Sequence, residues 1–202
     1  HTLRMDRQAV RREWENVSGT YARRRDPDGS DADLIEELLE RVDTQPQILD
    51  IGCGDGARTL ANLPTGSIGI DVAQAGLELA VETVPDQHLI AADMISLPFL
   101  ENTVDAVTAY HSVFHVPREE QATVYDELAR VTQSGGWLLM TLPGGRFETV
   151  RRGWMGGQML FSSPGREQTL ELLDAAGYEH IETMTANDPL GSSTEFVLAQ
   201  LG

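Results

Sequence analysis

The stretch ILDIGCGDGARTL, residues 48–60, passes from an apolar run through three alternating glycines into a helix-like segment. Asp50 stands two residues ahead of the first glycine. Glycine removes the Cβ and opens left-handed backbone, so a loop of this kind lets a ligand lie directly against the main chain. In an open parallel sheet, ligands sit beyond the carboxyl ends of the strands, and this loop follows what reads as a first strand, QILDIG (47–52).

Working outward, short apolar runs alternate with helical stretches. Ala57 to Asn62 reads as a short helix stopped near Pro64. SIGID (67–71) reads as a strand, AQAGLELAVE (73–82) as a helix and HLIAAD (88–93) as a strand. TVDAVTAY (103–110) is a further strand, REEQATVYDELARVT (118–132) a helix and GWLLMTL (136–142) a strand. That rhythm predicts an α/β fold with a parallel sheet covered on both faces. Between Asp93 and Asn102 a bare loop is expected. Ahead of the glycine loop, Arg7 to Tyr21 reads as a helix, and SDADLIEELLERV (30–42) as another capped by Ser30 or Asp31. Residues 143–164 hold five glycines and read as a long loop. REQTLELLDAAGY (166–178) is a helix closed by Gly177. HIETMTA and STEFVLAQL, separated by the turn signal NDPLGS, predict a C-terminal antiparallel hairpin.

The 202 residues suit one domain. Within it, 1–43 is expected to form a helical cap and 144–162 a substrate lid. Long loops are uncommon unless functional, and Trp154, Met155, Met159 and Phe161 offer an apolar ceiling. His1 is left out of the fold reading. No stretch approaches the ~18 apolar residues of a membrane span, and no basic-apolar leader opens the sequence given. Cys53 is the one cysteine, which argues against a disulfide framework and fits a cytoplasmic protein. The formal net charge is −17 with no lysine. A surface of this kind is expected of a halophilic protein, where salt screens self-repulsion. It also weighs against broad binding to nucleic acid or anionic membrane.

Two ligand classes fit the glycine loop. Gly52-x-Gly54-x-x-Ala57 satisfies the dinucleotide fingerprint, with Asp71 at a ribose-binding distance. Asp50, however, would repel a pyrophosphate and attract an amine. Asp93, ending the third strand, suits an adenine exocyclic amine, and the chain has no room for a dehydrogenase's substrate domain.

Asp50-x-Gly52-x-Gly54-x-Gly56, then IGID (68–71), AADMISLPF (91–99), VDAVTAYHSVFHV (104–116) and LARVTQSGGWLLMT (128–141) together resemble the ordered motifs of class I S-adenosylmethionine-dependent methyltransferases. The likeness is to the small-molecule "type 11", ubiquinone/menaquinone-biosynthesis-like branch. It implies a Rossmann-like seven-stranded sheet in the order 3-2-1-4-5-7-6, its last strand antiparallel. It also implies S-adenosyl-L-methionine as cofactor and S-adenosyl-L-homocysteine as product.

Carried over by position, Gly52, Cys53 and Gly54 would lie along the methionine part of the cofactor, and Asp50 would attract its amine. Asp71 would grip the ribose, with Val72 beside it, and Asp93 and Met94 would read adenine. Tyr21 would meet the carboxylate end, with Arg25 a second candidate there. Ala109 would approach the sulfonium methyl. A base near neutral pKa suits proton removal from an acceptor, so His111 is the candidate base, His115 a candidate to orient it and Tyr110 a donor to substrate. No metal is implied. The expected acceptor is a small molecule and the expected assembly a monomer or homodimer. DNA is not an expected partner, since no amide-recognition motif follows the fourth strand. The rivals are an RNA methyltransferase using the arginines at 23–25 and 151–152, and a non-catalytic cofactor-binding protein.

Overall fold

A computed structural model describes residues 4–187 and 190–202. Two helices, α1 (Arg7–Arg24) and α2 (Ser30–Leu39), precede β1 (Ile48–Ile51). There follow β2 (Ile68–Asp71), α3 (Gln74–Thr83), β3 (His88–Ala91) and β4 (Val104–Ala109). Then come α4 (Gln121–Val131), β5 (Thr132–Leu142), β6 (Arg146–Arg152), β7 (Gln158–Pro164), α5 (Arg166–Ala176), β8 (Tyr178–Asn187) and β9 (Ser193–Leu201).

Seven strands make one sheet in the order β3-β2-β1-β4-β5-β9-β8. Strands β1 to β5 pair in parallel, and β9 runs antiparallel to both β5 and β8. The expected order and the reversed last strand are both present. The glycine loop therefore leaves the carboxyl end of the central strand β1, flanked by β2 and β4.

The core follows from the period of two in a strand. Leu49 and Ile51 of β1 pack on one face with Val107, Leu138, Val124 and Leu128. Ile48 packs on the other with Ala106, Leu139, Ile35, Leu38 and Leu77. Both faces are thus buried, α4 covering the first and α2 and α3 the second. Among the described residues no helix is long and apolar enough to cross a membrane.

Four local expectations need correction. Residues 143–164 are not a loop: β6 and β7 pair antiparallel from Arg146↔Pro164 to Arg152↔Gln158. Their tip turns through Gly153, Met155 and Gly156, all at positive φ. The hairpin forms because β7 has its own partner for burial: Met159, Leu160 and Phe161 pack with Met5, Val10 and Val17 of the N-terminal segment. After the glycine loop, the expected helix shrinks to a single 3₁₀ turn at Leu60–Asn62. The N-cap of α2 is Gly29, and the Asp31 side chain turns inward instead of capping. Finally, β5 begins at Thr132, four residues ahead of the expected strand. The bare loop expected between Asp93 and Asn102 is present. Of the turn signal NDPLGS, Asp188 and Pro189 lie outside the described residues.

Candidate active site

The glycine loop bounds a cavity whose walls come from α1, the ends of β1, β2 and β3, and the turn after β4. Gly52, Gly54 and Gly56 have φ of +68°, +55° and +76°, conformations that L side chains rarely adopt. A Cβ on Gly52 would stand 2.6 Å from the Ser112 Cβ, whereas one on Gly54 would meet nothing within 4 Å. Gly54 is therefore bare backbone facing open space, a cradle that any side chain would fill. The Cys53 N–H ties the loop to the Ile70 carbonyl at 2.9 Å. Burial, with Asp50 and Asp71 near, pushes the Cys53 thiol well up, so this cavity-lining sulfur is an inert packing group.

Asp71 sits where β2 ends. Its Oδ2 accepts from the Gly54 N–H and its Oδ1 from the Ala73 N–H, each at 2.9 Å. Burial pushes its pKa up against the pull of those amides. A carboxylate oxygen carries two lone pairs, so both oxygens keep capacity for a diol. Val72, Asp93 and Met94 line the same wall. Asp93 Oδ2 already accepts from Arg7 Nη1 of α1 at 2.7 Å, and Arg7 also reaches Glu120 at 3.1 Å. Glu15 of α1 accepts from the Gln74 and Ala75 N–H groups at 2.7 and 2.9 Å, capping α3 from another helix. An ion pair and a carboxylate cap thus hold α1 across the mouth, and neither has a local signature in the sequence.

At the opposite end, Tyr21 of α1 and Arg25, which caps that helix, line the cavity. Arg25 lies over the Tyr21 ring at 5.6 Å and pairs with Asp55 of the glycine loop. Its Nε is buried with no hydrogen-bond partner among the described residues. Asp50 does not line the cavity. It is buried behind the loop, where Oδ1 accepts from the Thr108 hydroxyl at 2.8 Å and Oδ2 has no partner among the described residues. Burial, reinforced by Asp71 and opposed by Thr108 and Arg25, pushes Asp50 up to about 7.

The native state binds an extra proton at Asp50, so this carboxyl loses stability for the fold as pH rises from about 4 to 7. A cationic amine drawn to this end would favour the ionised form and expel that proton. Calorimetric binding of S-adenosylhomocysteine at pH 6, in two buffers of different ionisation enthalpy, should therefore show proton release. Its absence would place the amine elsewhere.

The turn after β4 departs most from expectation. Ala109 is buried in the core beneath the cavity and does not line it. Tyr110 lines the cavity, and its hydroxyl donates to the Asp31 carbonyl at 2.7 Å, which fastens α2 to the end of β4. His111 lines the cavity in left-handed backbone, φ +50°, with its N–H donating to Thr141 Oγ1 at 2.8 Å. His115 ends a 3₁₀ turn, and its Nδ1–H donates to the Leu160 carbonyl of β7 at 2.8 Å. Burial pushes its pKa down to about 4, so it is a neutral tie between the site and the hairpin.

What stands behind His111 is Asp31, fully buried, its Oδ2 3.5 Å from His111 Nε2. Arg58 Nε donates to both Asp31 oxygens at 2.8 and 3.0 Å. Arg58 also donates to the carbonyls of Asp26 and Asn187. Asp31 and Arg58 lie 27 residues apart, and only the fold brings them together.

Residues 49–140 match the family described as "Methyltransferase domain". The chain is 34% identical over 116 residues to methyltransferase GfsG of Streptomyces halstedii, covering 52% of this chain and 41% of that one. It is 28% identical over 109 residues to the tRNA (carboxymethyluridine(34)-5-O)-methyltransferase of Arabidopsis thaliana, covering 54% and 26%. In both cases the chain spans less than half the length of its relative. The fold superposes on magnesium protoporphyrin IX methyltransferase of Synechocystis PCC 6803, solved with bound S-adenosylmethionine, at a TM-score of 0.75 over the whole of both chains and 16% identity. The sequence match to the methyltransferase domain thus spans residues 49–140, and the seven-stranded sheet with its glycine cradle gives the chain the fold of that solved methyltransferase.

Proposed function

We propose that the protein transfers the methyl group of S-adenosylmethionine to a small-molecule acceptor, as in the type 11 branch. One observation carries this: the bare Gly54 backbone, the Asp71 carboxylate and His111 face a single cavity closed over by α1. The bound cofactor supplies a methyl group on an already activated leaving group.

The residues of this chain bind and align. Gly52 and Gly54 take the methionine part against the backbone, and Arg25 with Tyr21 receives its carboxylate. Asp71 holds the ribose, and Met94 and Asp93 bound the adenine end, where Arg7 must share Asp93. Asp50 favours the amine across the loop. Alignment of this kind is worth about 7–11 kcal/mol in favourable cases. His111 takes the proton of the acceptor.

The acceptor side is roofed by rings. Trp154, at the tip of the β6–β7 hairpin, lies 5.5 Å from Trp14, 5.6 Å from Tyr21 and 6.1 Å from His115. The hairpin with α1 is thus suited to act as the substrate lid, in strand form instead of as a loop. The net charge of −17 favours a small acceptor over RNA.

Incubation with radiolabelled cofactor, a fractionated metabolite extract and, in parallel, total tRNA tests this. Label should enter a small-molecule fraction. Label confined to tRNA would favour the RNA methyltransferase, and no transfer to either would favour a non-catalytic binding protein.

A further inference from the structure

His111 combines three features that ordinary packing does not require. Its backbone is left-handed, which is uncommon outside glycine. Its ring faces the cavity on one side. On the other, Nε2 is buried with no hydrogen-bond partner among the described residues, 3.5 Å from Asp31 Oδ2. That separation is longer than a formed hydrogen bond, and such catalytic contacts are often long before substrate binds.

We propose that Asp31 is a positioning residue for His111: its carboxylate keeps the ring proton on Nε2 and leaves Nδ1 to take the proton of the acceptor. The proposal rests on the reading of His111 as the base. In the step, the acceptor's lone pair forms the new bond to the methyl carbon as the carbon–sulfur bond breaks, its electrons staying on sulfur. The acceptor's proton passes to Nδ1. The resulting imidazolium then carries protons on both nitrogens, and Nε2–H donates to Asp31 Oδ2.

Asp31 is built for this in a way that a simple helix acid is not. Gly29 leaves room for Arg58: a Cβ there would stand 2.4 Å from a guanidinium nitrogen. Arg58 then locks both Asp31 oxygens while the Tyr110 hydroxyl pins the Asp31 carbonyl. The carboxylate therefore cannot swing away from Nε2. The other titratable groups near the ring are neutral His115, Tyr110 with its proton engaged, and Arg25 across the cavity.

Histidine-labelled protein followed by NMR across pH tests the assignment, with the His111 signal identified by its loss in His111→Gln. The wild type should show the proton on Nε2 in neutral imidazole. In Asp31→Asn, where a neutral amide replaces the carboxylate, that preference for Nε2 should be lost and the Nδ1–H tautomer should appear. Should Asp31→Asn fail to fold with Arg58 unpaired, Asp31→Asn/Arg58→Gln supplies a neutral hydrogen-bonded pair, and the same loss of preference is expected. A folded variant whose His111 keeps its neutral proton on Nε2 would overturn the role of Asp31. The base reading fails separately: once an acceptor is found, His111→Gln with undiminished kcat would sink it, whereas a loss of about 10²–10⁴-fold supports it.

Discussion

Arg58→Ala should destabilise the protein by about 3–5 kcal/mol, the cost of leaving one partner of a buried ion pair uncompensated. Arg58 is 2% exposed and Asp31 0%, so water cannot take over the lost contacts. Three separate pieces of chain depend on this guanidinium: the start of α2, the segment at Asp26 and the end of β8 at Asn187. In a domain of this size each kcal/mol moves the melting temperature by about 2–4 °C, so a fall of roughly 6–20 °C is expected. Replacing both partners should cost less, because no buried charge is then stranded. Thermal and urea unfolding of Arg58→Ala and of the double variant Asp31→Asn/Arg58→Gln measures both. A loss below about 1 kcal/mol for Arg58→Ala would show that the pair is solvated, and the fixed geometry behind His111 would lose its basis.

The parts of the molecule legible in sequence are those written by local rules. The strand at 48–51 announces itself because a central parallel strand is apolar on both faces, and the glycines after it because their backbone is left-handed. Asp71 and Asp93 stand out because they fall where the apolar runs of β2 and β3 stop. The hairpin at 146–164 was hidden because Arg146, Arg151 and Arg152 break its apolar pattern and its glycines suggest a loop. Its strand character comes from burial of Met159, Leu160 and Phe161 on the N-terminal segment, a contact across some 150 residues. The inward turn of Asp31 is hidden for a different reason. An acid in the first turn of a helix suits the macrodipole wherever its side chain points. Nothing local separates a cap from an acid turned inward to meet Arg58. Tyr110 and His115 both line the cavity, but what they bond has no local signature, since Asp31 and Leu160 lie on other elements.

The central claim is that the cavity binds S-adenosylmethionine with Asp71 on the ribose, and Asp71→Ala bears on it most directly. A charge-assisted hydrogen bond is worth about 1.5–3 kcal/mol. Loss of one therefore weakens binding about 10- to 150-fold. Because Asp71 also accepts from the Gly54 and Ala73 N–H groups, Asp71→Asn, which keeps one acceptor oxygen, separates ligand contact from loop support. The deciding measurement is calorimetric titration of the wild type and both variants with S-adenosylhomocysteine, each first shown to be folded by its unfolding transition. The wild type should bind at one site and Asp71→Ala about 10- to 150-fold more weakly, with Asp71→Asn between them. A wild type that does not bind, or an Asp71→Ala variant with an unchanged Kd, would contradict the account.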